Sequence, residues 1–172
     1  MMHLRRTFIV ICLLLATASA NSLESKANSE VISFKLNSWG KPLFSWTISP
    51  DGIGFYAESS PIAGKGFYDY HWTVRSIAVG PDGYSKIQRL MTPARALAKG
   101  SVECGERMTD LPYGSVSWQS PTAKLDGSFD TGCSSAAMRP IISSIQQAHN
   151  QVAEWSGKAK ITEEKDVLSS HN

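Results

Sequence analysis

The chain reads as α+β: a mostly antiparallel sheet with a C-terminal helix and one short or broken helix packed on one face, closed by one disulfide. Three observations predict this. Apolar and polar residues alternate in short runs separated by Pro and Gly turns, the pattern of half-buried strands. One long segment near the C-terminus carries apolar residues at helical spacing. Of the three cysteines, two lie outside the N-terminal segment, and an even number in an exported chain implies a bridge.

The N-terminal segment has the three parts of a secretory signal. "MMHLRR" is basic, "TFIVICLLLATA" is apolar, and "ASA" at Ala18 to Ala20 is a small-x-small cleavage site. A retained anchor needs roughly 20 apolar residues, so cleavage after Ala20 is expected and no membrane span remains. Cys12 follows Ile11 rather than a small residue and leaves with the signal. The expected organisation is a signal peptide over 1–20, a flexible leader over 21–29, one domain over 30–157 and a mobile polar tail over 158–172. The expected location is periplasmic or secreted.

Losing the signal changes the charge. The chain has 17 Lys and Arg against 15 Asp and Glu; Arg5 and Arg6 leave with the signal and no acid does, so 15 of each remain. Nucleic-acid binding draws on a positive surplus, and the neutral mature chain excludes it as an expected function. The remaining 152 residues are enough for one domain with its own core.

In chain order, "EVISFKL" places Ile32, Phe34 and Leu36 on one strand face, and "LFSWTI" does the same with Phe44, Trp46 and Ile48. "SPDG" at Ser49 to Gly52 is turn chemistry. "IGFYAES" returns with Ile53, Phe55 and Ala57 on the inner face and Tyr56 on the outer one. "FYDYHWTVRSIAV" is the longest strand: Tyr68, Tyr70, Trp72 and Val74 share the apolar face, and Asp69, His71, Thr73 and Arg75 the solvated one. Ile77 and Val79 then break parity, which predicts a bulge or bend near Ser76. "GPDGYSKIQRLM" and "TPARALAKG" switch to helical spacing, with Thr92 as cap, Pro93 in the first turn and Gly100 as terminator. A hairpin follows: Val116 and Trp118 alternate outward to "SPT", and "AKLDGSF" returns. Ile141, Ile145, Ala148, Val152 and Trp155 form the stripe of the last helix, bounded by Pro140 and Gly157.

Cys104 and Cys133 bracket that hairpin. A nucleophilic thiol with a histidine partner and a disulfide both account for them, and the export signal favours the disulfide. A metal site is not expected, because neither has a His or second Cys within four residues. The chain contains no G-x-S-x-G, no G-x-G-x-x-G and no G-x-x-x-x-G-K-[ST], so serine hydrolases of that type and nucleotide enzymes are disfavoured and no cofactor is expected. Of the mature histidines, His71 has Asp69 two residues away on the same strand face, a pair able to orient an imidazole for acid–base work; a one-sided sheet gives the same pattern. His149 lies beside the helix stripe as a boundary residue. Trp39 sits in "NSWGKP", a break between strands. The candidate binding residues are Trp39, Tyr56, Asp69, His71 and Arg75, since aromatics exposed beside polar groups stack on sugars or anchor proteins.

The segment "WGKPLFSWTISPDGIGFY" resembles the opening of a family of small bacterial envelope domains of unknown role, with a Gly-x-Pro start and a DG-turn hairpin. Gly40, Pro42, Phe44, Trp46, Ile48, Asp51, Gly52 and Tyr56 carry the match; Trp39 and Lys41 stand where members often have cysteines. The resemblance implies a fold and an envelope location, and no activity. The functional expectation is a non-catalytic exported domain that binds another envelope or secreted protein or glycan. The alternatives are a carbohydrate-binding or hydrolase-inhibiting protein, and a small hydrolase using His71 with Asp69.

Overall fold

The alternating runs become strands of one sheet. In the computed structural model, which describes residues 30–100 and 102–169, seven strands pair throughout antiparallel in the order β6-β5-β1-β2-β3-β4-β7. They are β1 (Val31–Ser38), β2 (Lys41–Ile48), β3 (Ile53–Pro61), β4 (Tyr70–Ala78), β5 (Tyr113–Gln119), β6 (Lys124–Asp130) and β7 (Ile161–Val167). Helix α1 (Gly80–Leu90) and a 3-10 helix (Pro93–Lys99) follow β4, and α2 (Met138–Ser156) follows β6. The expected signal and leader lie outside the described residues. The fold class read from the sequence is the one observed.

Register explains the core. Side chains directly opposite one another share a face, so Trp118, Ile32, Ile48, Gly54 and Ile77 form one cross-strand row. Val116, Phe34, Trp46, Tyr56 and Arg75 form the next, and Phe129, Gly114, Leu36, Phe44, Glu58 and Thr73 the third. Most of these join Tyr84, Ile87, Ala94, Met138, Ile141, Ile145, Ala148 and Val152 in one buried cluster, so the three helices named above lie on this face. Phe34 stacks on Trp46 (5.5 Å) and Phe129 (6.1 Å) at its centre. Among the described residues no helix is long and apolar enough to cross a membrane.

Two expected faces are inverted. In β3 the core face holds Gly54, Tyr56 and Glu58; Tyr56 is 3 % exposed, whereas Ile53 and Phe55 are half-exposed. In β4 the polar parity, Thr73, Arg75 and Ile77, faces the helices, and Trp72 and Val74 face the other way. Both parities of these strands carry apolar side chains, so alternation alone does not choose between them. No bulge occurs near Ser76 in the β3–β4 ladder, because Ile77 already shares the parity of Thr73; the irregularity lies between Val74 and Arg75 on the β7 side.

Residues 161–167, expected as part of a mobile tail, form edge strand β7 against β4. Its sequence, ITEEKDV, has no apolar alternation, because an edge strand held by backbone pairing and exposed on its side chains needs none. Thr92 does not cap the 3-10 helix: its backbone is already helical and its hydroxyl donates to the Gln88 carbonyl (3.0 Å). The DG turn forms as read. Gly52 has φ +78, its N–H donates to Ser49 O (2.8 Å), and an added Cβ would lie 2.1 Å from the Gly80 carbonyl oxygen, so only glycine fits.

Cys104 and Cys133 are bridged, with Cα atoms 4.7 Å apart. Cys104 lies in irregular chain ahead of β5 rather than at a strand end, and Cys133 lies between β6 and α2. The bridge therefore ties the entry to β5 to the entry to α2. Backbone bonds from Ser134 N to Glu106 O (3.1 Å) and Ser135 N to Cys104 O (3.0 Å) reinforce it. Ser135 Oγ accepts from Met138 N (3.1 Å) and starts the helix.

Candidate functional site

Antiparallel pairing sends alternate loops to the same end of a sheet. Here the β1–β2 turn, the β3–β4 loop, the approach to β5 and the exit from β7 all gather at one end, because Ser38 pairs with Lys41, Pro61 with Tyr70, Asn37 with Tyr113 and Tyr70 with Val167. Of the eleven large apolar side chains that are exposed among the described residues, seven belong to this end: Trp39, Phe67, Tyr68, Met108, Leu111, Tyr113 and Leu168. The remaining four lie on strands toward the other end.

Trp39 forms the tip. It and Gly40 are the two central residues of the β1–β2 hairpin, with φ 51 and +79. Positive φ at both positions is the mirror-type turn that suits a two-residue hairpin, usually occupied by Asn-Gly or Gly-Gly. A tryptophan there costs about 1–2 kcal/mol in backbone strain, and its side chain is 60 % exposed. Next to it, Lys41 is 7 % exposed, and its ammonium lies over the rings of Phe67 (4.8 Å) and Tyr70 (5.1 Å). Phe67 and Tyr68 meet edge to face at 5.2 Å.

Below the rim, on the helix side, the third core row turns polar. Arg75 Nη1 donates to Glu58 Oε1 (2.5 Å), and the Tyr56 hydroxyl donates to Glu58 Oε2 (3.4 Å). Burial, reinforced by the Glu58 carboxylate, pushes the Tyr56 phenol well above its ordinary range. His149 on α2 is half-buried, the boundary position expected of it, and packs against Phe34 (5.4 Å), Phe44 (4.7 Å) and Tyr56 (6.1 Å). Its Nδ1 is buried with no hydrogen-bond partner. Desolvation lowers its pKa, partly offset by Glu58, which favours the neutral ring.

The next row holds Ser60, His71 and Asp166. His71 does not pair with Asp69. Its Nδ1 donates to Asp166 Oδ1 (2.8 Å), and its Nε2 lies 3.7 Å from Glu164 Oε1. The hydrogen bond to Asp166 raises its pKa, with Glu164 adding to the effect. A carboxylate near each ring nitrogen favours the protonated ring over the neutral one, which a general base must be. Asp69 is 6 % exposed and organises the loop: it accepts from Gly66 N (3.2 Å) and from Ser169 N (2.7 Å) and Oγ (2.8 Å). The reason is local: Asp69 precedes β4, and its carboxylate turns back onto the loop.

The five sequence-predicted residues thus separate. Trp39 is at the exposed tip, Tyr56 and Arg75 are joined through Glu58 under the helix, and His71 and Asp69 serve different partners. Sequence reasoning missed Lys41, Phe67 and Tyr68. The signal was present in "GKGFYDY", where two aromatics follow a glycine-flanked loop and so stand outside any buried strand face. A concavity of about 520 Å³ lies beside the disulfide, lined among others by Leu97, Val102, Tyr113, Phe129 and Met138, with the Arg107–Asp130 pair (3.2 Å) at its margin. Among the described residues, no group of three or more His, Cys, Asp or Glu side chains is placed to hold a metal ion.

No family model matches the chain, and no curated protein is similar to it.

Proposed function

We propose that this chain is an exported, non-catalytic binding domain that engages another secreted or envelope molecule through the aromatic loop end of its sheet. One observation carries this reading: Trp39 is held at positive φ on a hairpin tip with 60 % of its surface exposed, at the end where most exposed apolar residues gather. Backbone strain and an exposed indole both oppose folding, and contact residues retain such features because they serve a partner. The N-terminal signal pattern and the Cys104–Cys133 bridge support export to an oxidising compartment. The doubly carboxylate-bound His71 speaks against the hydrolase alternative.

The test is retention of the purified mature protein on isolated envelope material. Wild type is expected to be retained, and Trp39→Ala combined with Tyr68→Ala to be released while melting at the same temperature or higher. Equal retention of the double variant, or turnover of an envelope substrate that disappears in His71→Gln, overturns the reading.

A further inference from the structure

Lys41 is a cation in an unusual setting. Its side chain is more than nine-tenths buried, yet its ammonium is held by aromatic faces alone. Among the described residues no carboxylate stands at ion-pair distance from it; the acids of this end are engaged elsewhere, Asp166 with His71 and Asp69 with Gly66 and Ser169. The rings attract the ammonium but carry no counter-charge, so the slot holds a cation without neutralising it. It also fixes the side chain in one place, so little rotamer freedom remains to be lost on binding.

The surroundings indicate what would complete it. Phe67 and Tyr68 are about half exposed, and Trp39 more so, in the turn and loop at this end of the sheet. Exposed flat aromatic faces accept the face of a pyranose ring, whereas an extended peptide is ordinarily gripped along a sheet edge or in a groove. A fixed ammonium among such faces selects a negative group carried by the sugar.

We infer that Lys41, with Phe67, Tyr70 and the neighbouring Trp39 and Tyr68, forms a binding site for an acidic saccharide, the ammonium pairing with a sugar carboxylate while the aromatic rings stack on the pyranose. This names the ligand class for the loop end and rests on reading that end as a contact surface.

The experiment titrates the mature protein calorimetrically with an oligogalacturonate, with the same oligosaccharide after its carboxyls are reduced to alcohols, and with an oligoglutamate peptide. The acidic sugar is expected to bind about tenfold or more tightly than its reduced form, the ratio set by one charge-assisted contact. Lys41→Met fills the same slot without charge and is expected to abolish the preference for the acidic over the reduced sugar; Lys41→Arg is expected to retain the preference. Near-UV circular dichroism verifies that both variants fold. The inference is overturned by equal affinity for the acidic and reduced sugars, by an unaltered preference in Lys41→Met, or by oligoglutamate binding as tightly as the sugar, which would make this an anionic-peptide site. It is also overturned if no saccharide binds. The binding-domain reading then stands if envelope retention still depends on Trp39 and Tyr68, and falls with it if retention does not.

Discussion

The two edges of the sheet are closed by different forces. At the β6 edge, the 3-10 helix lies so close that a Cβ on Gly127 would come within 2.6 Å of Leu97 Cβ. Phe129 stacks on Phe34, and the disulfide fastens the chain on both sides of the β5–β6 hairpin. At the β7 edge, every residue of the strand is exposed except Val167, which is half-buried. Backbone pairing to β4 holds it, together with the exposed His71–Asp166 contact across the strands and Lys165–Glu163 (2.7 Å) along β7 itself. Packing and covalent closure are indifferent to pH and salt, whereas exposed ion pairs contribute little and are screened. One edge is therefore a fixed anchor and the other a weakly held flap beside the aromatic loop end.

The largest expected effect breaks the anchor. Replacing both Cys104 and Cys133 by Ser should lower stability by about 2–5 kcal/mol, in line with the entropy of a closed loop of this size. The midpoint of urea unfolding reads this directly. A midpoint unchanged from wild type would mean that the Ser134–Glu106 and Ser135–Cys104 backbone bonds close the β6 edge without help.

An intermediate effect sharpens the contrast by pH. His149, between the two edges, has a lowered pKa because burial disfavours its cation. Its contribution is fully present above the unfolded value of about 6.5 and is lost as pH falls through the depressed folded value. Stability should decline on acidification at up to about 1.4 kcal/mol per pH unit in that window. His149→Phe, which suits the aromatic surroundings, should flatten this part of the profile; an unchanged acid limb would assign it to carboxylates instead.

The smallest effect belongs to the flap, and its sign is opposite. The pKa of His71 is raised, first by its bond to Asp166. Its contribution is fully present below the unfolded value and lost as pH rises through the raised folded one. Amide protection over 161–167 should therefore weaken as pH rises through that folded value, and His71→Gln should remove that dependence with almost no change in global melting. Equal protection of β6 and β7 amides under all conditions would erase the distinction between the edges.

Much of this architecture was legible in the sequence. Ile32, Phe34, Trp46, Ile48, Val116 and Trp118 alternate against polar neighbours, and each lies in the core. The stripe from Ile141 to Val152, the DG turn and the cysteine pair also follow from local spacing and chemistry. These features were readable because one face of each element is dominated by apolar residues and the other by polar ones. The site was less legible. Trp39 could be picked out as an aromatic in a turn, but Lys41 could not be told from a surface lysine, and His71 was assigned the nearest acid in sequence when its partner is Asp166, 95 residues away.

What the sequence determined by itself is therefore the set of elements up to the last helix, their approximate limits and the bridge, because propensity, periodicity and turn chemistry act over a few residues. The tertiary structure decided which face of β3 and β4 turns inward. Phe55 and Tyr56 are both aromatic neighbours, and only the rows set by Trp46 and by α2 select Tyr56. It also decided that a charged C-terminal segment pairs with β4, since backbone hydrogen bonding is available to any non-proline sequence and leaves no mark on side-chain pattern. Finally, it brought Trp39, Lys41 and Phe67 to one end of the sheet, a consequence of antiparallel connection that no stretch of the chain contains alone.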